Sequence, residues 1–109
     1  MRMLVNAVDL VQSIQARKRV LLDTMILCYA HDRLSPYHAK ASLIVKAAIN
    51  GPIEAYISYQ NLAEFYSIMT GKRVKKPLTS REAADLCLLY LESVAIGKLL
   101  PTAATYVEA

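Results

Sequence analysis

Asp23 stands inside an apolar run, VLLDTMILCYA, that spans Val20 to Ala30. An ionised carboxylate buried without partners is too costly to keep. This one needs a cation, a hydrogen-bond donor or an exit to water. Glu64 is the acid that could join it. The stripe Leu62, Phe65, Tyr66 and Met69 has helical spacing, which turns Glu64 to the other side with Gln60 and Ser67. That polar face either meets solvent or lines a cleft beside Asp23. In the second case two carboxylates would offer hard oxygen donors to Mg2+ or Mn2+.

The other reactive side chains form less of a pattern. Lys72, Arg73, Lys75 and Lys76 make a basic loop after Gly71. It is either a solvated loop or a set of phosphate contacts, whose binding would weaken with salt. His31 and His38 are too isolated to form a metal pair, and His38 reads as a helix-surface residue. Asp85 reads as solvated or ion-paired. Cys28 and Cys87 lie in apolar runs without metal-ligand spacing, as packed, reduced thiols do. Seven tyrosines could stack on bases, but most sit at core-like spacing.

The elements that must position these residues alternate between helix and strand. Leu4, Val5, Val8, Val11 and Ile14 recur at helical spacing, and the basic ARKR ends that helix. Val20 to Leu22 then reads as a short buried strand with Asp23 at its carboxyl end, and TMILCYA as a short helix. Ser35 is the expected N-cap of the next helix, with Pro36 in its first position and Gly51 just past its end. Ile53 to Ile57 is the second strand. Ser58 caps the helix that carries Glu64, and Gly71 stops it. Thr79 and Glu82 have capping-box spacing and open a helix that runs on through VAIG. A third strand is expected near Leu99 and Leu100. Thr102 would cap a further helix, TAATYVEA, which stops after about two turns, shorter than a stable isolated helix. Strands that read as continuous apolar runs, separated by helices, argue for a parallel sheet with helices on both faces. In such sheets ligands bind beyond the carboxyl ends of the strands, which is where Asp23 falls.

Composition sets outer bounds. The 109 residues suffice for one compact domain. Apolar residues make up 55% and charged ones 20%, a balance that excludes intrinsic disorder. A net charge of +4 and a pI near 9.2 mildly favour an anionic partner. No apolar run reaches membrane-spanning length. Asn6, Asp9 and Gln12 interrupt the apolar residues of the N-terminus, so no secretory leader is expected there. The chain reads as cytoplasmic.

VLLDTMILCYAHD, SPYHAKA, ISYQNLAEFYSIMTG and KPLTSREA together resemble the PIN domain, closest to the VapC-type toxins of bacterial and archaeal toxin–antitoxin pairs. The likeness runs from about Val20 to Thr102. It implies an incomplete PIN-like domain over 20–109, which leaves the periodic residues of 1–19 as an N-terminal helical extension. It implies a three-layer α/β/α sandwich with a central parallel sheet, whose last strands would be missing. The family consists of ribonucleases that use Mg2+ or Mn2+. By resemblance Asp23 and Glu64 are its first two metal-site acids, and both are catalytic. Thr24 matches the residue that supports the first acid, and Ser58 the one that enters the second acid's helix. RNA, a cognate antitoxin and a second copy of the chain are the implied partners, with Lys72, Arg73, Lys75 and Lys76 as RNA contacts. Met25 departs from the Asn or Ser usual after Asp-Thr. The family's further Asp residues follow a helix beyond the third strand, and Glu108 sits too early to be one. The ribonuclease expected from these residues is therefore a very weak one. The competing expectation is a catalytically inactive remnant that serves as an interaction module. An acyl-phosphate acceptor ranks third, because Asp9 is the only upstream acid.

Overall fold

The computed structural model describes residues 19–51 and 53–99. The expected helix around Leu4 to Ile14, the extension over 1–19 apart from Arg19, the strand position Leu100, the Thr102 helix and Glu108 lie outside them. The described chain is mixed α/β. Its elements run β1 (Val20–Leu21), α1 (Thr24–Ala30), α2 (His38–Asn50), β2 (Ala55–Ser58), α3 (Tyr59–Met69), α4 (Ser80–Glu92) and β3 (Ile96–Leu99). The three strands form one parallel sheet in the order β1-β2-β3. Val20 pairs with Ala55, and Ala55 with Ile96. Helix α1 packs on both α2 and α3, and α3 packs on α4.

Side-chain alternation along the strands defines the two sheet faces. Ala55, Ile57 and Ile96 are buried, as is Leu22 just beyond β1. They join Leu27, Val45, Ala48, Leu62, Phe65, Met69 and Tyr90 in one core. On the opposite face Leu21 is 54% exposed and Leu99 is 44% exposed. Tyr56 pairs with Leu21 on one side and with Gly97 on the other. A Cβ added at Gly97 would run into the Tyr56 ring, so only glycine leaves room for that ring as placed.

Local chemistry sets most helix ends. Ser58 Oγ accepts the Asn61 N–H at 3.0 Å and caps α3. Thr79 Oγ1 accepts from Glu82 N at 3.1 Å, while Glu82 Oε1 accepts from Thr79 N at 2.9 Å, which closes the capping box of α4. The Thr79 N–H holds the Glu82 carboxyl below its ordinary range. Gly51 ends α2 at φ 93°, a conformation that glycine adopts without the Cβ penalty.

Three boundaries differ from the sequence reading by two residues or more. Helix α2 begins at His38, not at Pro36. Ser35 Oγ accepts from Tyr37 N at 3.1 Å, and Ser35 O from His38 N at 3.2 Å, so its hydroxyl shapes a turn before the helix. Helix α4 ends at Glu92, with Ser93 as its C-cap. Ile96 and Gly97, read as the end of that helix, instead open β3 beside β2. Strand β2 starts at Ala55, two residues later than the apolar run.

Candidate functional site

Asp23 leaves β1 at its carboxyl end and becomes the N-cap of α1. Its Oδ1 accepts the Ile26 N–H at 3.0 Å. The residue is exposed, so the apolar run around it is core while its carboxylate meets water. That disposes of the cost of burying its charge. Its second oxygen is left for another partner.

Thr24 points the other way, into the protein. Its hydroxyl donates to Asn61 Oδ1 at 3.4 Å, a long contact. Asn61 Nδ2 donates in turn to the carbonyl of Leu22, the residue before Asp23, at 3.1 Å. One amide therefore ties the first turn of α3 to the end of β1 and to α1. Sequence reasoning missed Asn61. Its spacing carried a signal, since it lies four residues before Phe65 on the apolar side of α3, where a polar side chain needs an internal partner.

Glu64 lies about one turn beyond Asn61 and is exposed, as are Gln60 and Ser67. It lines a cavity of about 360 Å³ with Ser67, Ile68, Gly71, Lys72 and Arg73. An acid and two bases thus share one cleft at the end of α3 that leads into the basic loop. Lys75 and Lys76 are exposed on the same loop but are not part of its wall. Nor is Asp23, which belongs to the neighbouring helix α1. The two acids are carried on adjoining helices joined by the Thr24–Asn61 contact. No group of three or more His, Cys, Asp or Glu side chains able to hold a metal occurs among the described residues.

The histidines are structural. His31 Nε2 and Tyr90 Oη share a hydrogen bond at 2.5 Å. The His31 and Phe65 rings meet edge to face at 5.6 Å, and those of Phe65 and Tyr90 at 6.3 Å. Burial lowers the His31 pKa, and the charge of His38 lowers it further. Burial also raises the Tyr90 hydroxyl above its ordinary range, with a smaller contribution from Cys87. His38 is not a plain surface residue. It is half-buried, and its Nδ1 bonds to the Tyr29 carbonyl at 3.0 Å, which joins the start of α2 to α1. Cys28 is buried and free, and burial, then Asp32 and Asp23, push its thiol to about 11. At that value it is a poor nucleophile. Asp85 meets Arg81 one turn away at 3.8 Å on the surface. No described helix is long and apolar enough to cross a membrane.

No family model matches the chain, and no curated protein matches it.

Proposed function

We propose that this chain is a metal-dependent endoribonuclease of the PIN type, similar to VapC toxins. The observation that carries the reading is the cleft that joins Glu64 to Lys72 and Arg73, on a helix that Asn61 fastens beside Asp23. An RNA phosphodiester needs cations around its non-bridging oxygens and carboxylates that hold a divalent ion. The donor set fits Mg2+ or Mn2+, since Mg2+ is commonly bound through one or two carboxylates, several waters and substrate phosphates. A divalent ion held there would lower the pKa of an attacking water and neutralise charge that develops on the phosphate.

The chain's own residues supply the rest. Lys72 and Arg73 draw in the phosphate backbone and fix its position along the cleft. Arg73 can bond two oxygens at once, which sets orientation as well as affinity. The Ile26 N–H holds one Asp23 oxygen and so orients the other. Ser58 fixes the start of the helix that presents Glu64, and Thr24 with Asn61 holds the two acid-bearing elements together. In this reading the fold is a three-layer α/β/α sandwich, and a second helical layer covers the sheet face of Leu21, Tyr56 and Leu99.

The test is cleavage of single-stranded RNA with Mg2+ or Mn2+, with chelator, and with Asp23→Asn and Glu64→Gln. Cleavage that either substitution cuts at least ~100-fold, and that chelator abolishes, supports the proposal. Cleavage unchanged in both variants overturns it.

A second reading is supported by exposed apolar side chains. Leu88 and Leu89 of α4 are about half exposed and Val94 is fully exposed. Apolar side chains of this kind favour association with an antitoxin or a second copy, as an inactive interaction module would use them. Folded protein that self-associates or binds an antitoxin, but does not cleave RNA at saturating Mn2+, selects this reading.

A further inference from the structure

A second cavity, of about 150 Å³, adjoins the Glu64 cleft, and Ile68 and Arg73 line both. Met25, Tyr29, Ile68 and Val74 contribute apolar wall, while Asp32 and Arg73 bring charge. Pockets for drug-sized ligands run to roughly 300–1,000 Å³, so this one is a compartment for a single small ring system. Apolar walls with charged groups at the edge suit a nucleobase, which is apolar on its faces and polar around its rim. In single-stranded RNA such bases can be splayed out and read on their edges. Met25, a departure from the family pattern, has a use here as flexible wall.

Asp32 is the hydrogen-bond acceptor in the wall that could tell one base from another. Its Oδ1 accepts the Leu34 N–H at 3.1 Å. That bond holds the carboxylate in place, and it leaves the second oxygen and the other lone pair of Oδ1 to accept from a ligand. An ionised carboxylate only accepts hydrogen bonds. Guanine offers two adjacent donors on one edge, N1–H and the N2 amine, and a carboxylate can take both. Adenine and cytosine each present one amine beside a ring nitrogen that is an acceptor. Uracil presents one N–H between two carbonyls. Each of these sets an acceptor against the carboxylate. Arg73 stands where the two cavities meet and can bond guanine O6 or the adjoining phosphate.

We infer that the pocket between α1, α3 and the basic loop is a guanine subsite, with Asp32 as the specificity-determining residue. Its role in choosing the cleavage position rests on the ribonuclease reading, but base binding does not need the reaction. The experiment titrates the full chain with GMP, AMP, CMP and UMP in the presence of chelator, followed by calorimetry or NMR shifts. A bidentate contact discriminates by ~1–3 kcal/mol, so GMP should bind about 10-fold or more tighter than the others. Asp32→Asn keeps the acceptor for Leu34 and turns the other arm into a donor, and it should bring GMP to the level of AMP. If that variant fails to fold, Met25→Trp fills the pocket from a partly exposed position and should abolish GMP binding. Equal binding of all four nucleotides, or a GMP preference that survives in the folded Asp32→Asn protein, overturns the inference. GMP selectivity without RNA cleavage would sink the ribonuclease reading and leave the pocket. Cleavage by a protein with no guanine preference would do the reverse.

Discussion

Replacing Asn61 with alanine tests the joint on which the candidate site depends. Leu22 is fully buried, and its carbonyl accepts from Asn61 Nδ2 at 3.1 Å. Loss of that donor leaves a buried acceptor unsatisfied, at a cost of ~1–3 kcal/mol. Thr24, only 9% exposed, also loses the acceptor for its hydroxyl. The contact is long at 3.4 Å, so this adds about 0.5 kcal/mol, the low end for a hydrogen bond. Alanine is a better helix former and returns about 0.5 kcal/mol. The net loss is about 1–3 kcal/mol, or ~4–20 °C in Tm for a domain of this size. Asn61→Asp is the sharper variant. It keeps an acceptor for Thr24, removes the donor and sets a carboxylate oxygen against the Leu22 carbonyl, so it should cost at least as much as alanine. Gln60→Ala, at the exposed neighbouring position, should stay within about 0.5 kcal/mol of the parent. The assay is urea unfolding followed by circular dichroism, with thermal melts of the same three variants. Asn61→Ala indistinguishable from Gln60→Ala would refute the account of this amide as a clamp.

Three further outcomes are expected. Burial, and secondarily His38, lower the folded pKa of His31 from 6.5. The unfolded chain therefore takes up the proton first, and the stability that neutral His31 contributes is intact above about pH 6.5 and drains away as pH falls from there through the lower folded value; urea midpoints from pH 8 to 5 that do not move would contradict this. Thr79→Ala removes the hydroxyl that accepts the Glu82 N–H and leaves the Thr79 backbone N–H to the Glu82 carboxylate; it should cost ~1 kcal/mol, read by the same unfolding assay. Gly97→Ala forces the Tyr56 ring aside and should cost ~1–3 kcal/mol as an overpacking change, and a double-mutant cycle with Tyr56→Ala should recover most of that loss.

Features written into a few adjacent residues were readable from the chain. Ser58, the Thr79–Glu82 pair and Gly51 act within one helical turn, and the structure has each where its spacing points. The buried stripe of α3 follows from helical periodicity alone, as does the outward turn of Glu64. Ser35 misled because its hydroxyl can serve either a helix or a turn, and the turn through Tyr37 takes it. The end of α4 misled because Val94, Ala95 and Ile96 carry no breaker. What stops the helix is the pairing of Ile96 with Ala55, an interaction that no local window contains. The joint at Asn61 and the sharing of Arg73 between two cavities are harder still, since their partners are distant in sequence. In the notation of the chain, Asn61 is one polar residue in a helix, and only the fold shows the Leu22 carbonyl beside it.

The order β1-β2-β3 also bears on how the chain is made. Among the described residues β2 pairs with β1 and β3 with β2, so none of these three strands has to be threaded between two already joined. A ribosome adds ~5–20 residues per second, and each strand therefore finds its template within seconds of emerging. The middle strand emerges with the Ser58 cap that starts α3, and Asn61 follows at once, aimed at a carbonyl already in place. The acid-bearing helix can be locked down while α4 is still being translated. Arrested nascent chains of increasing length should accordingly gain protease resistance in two steps, one as α3 clears the exit tunnel and one as β3 does.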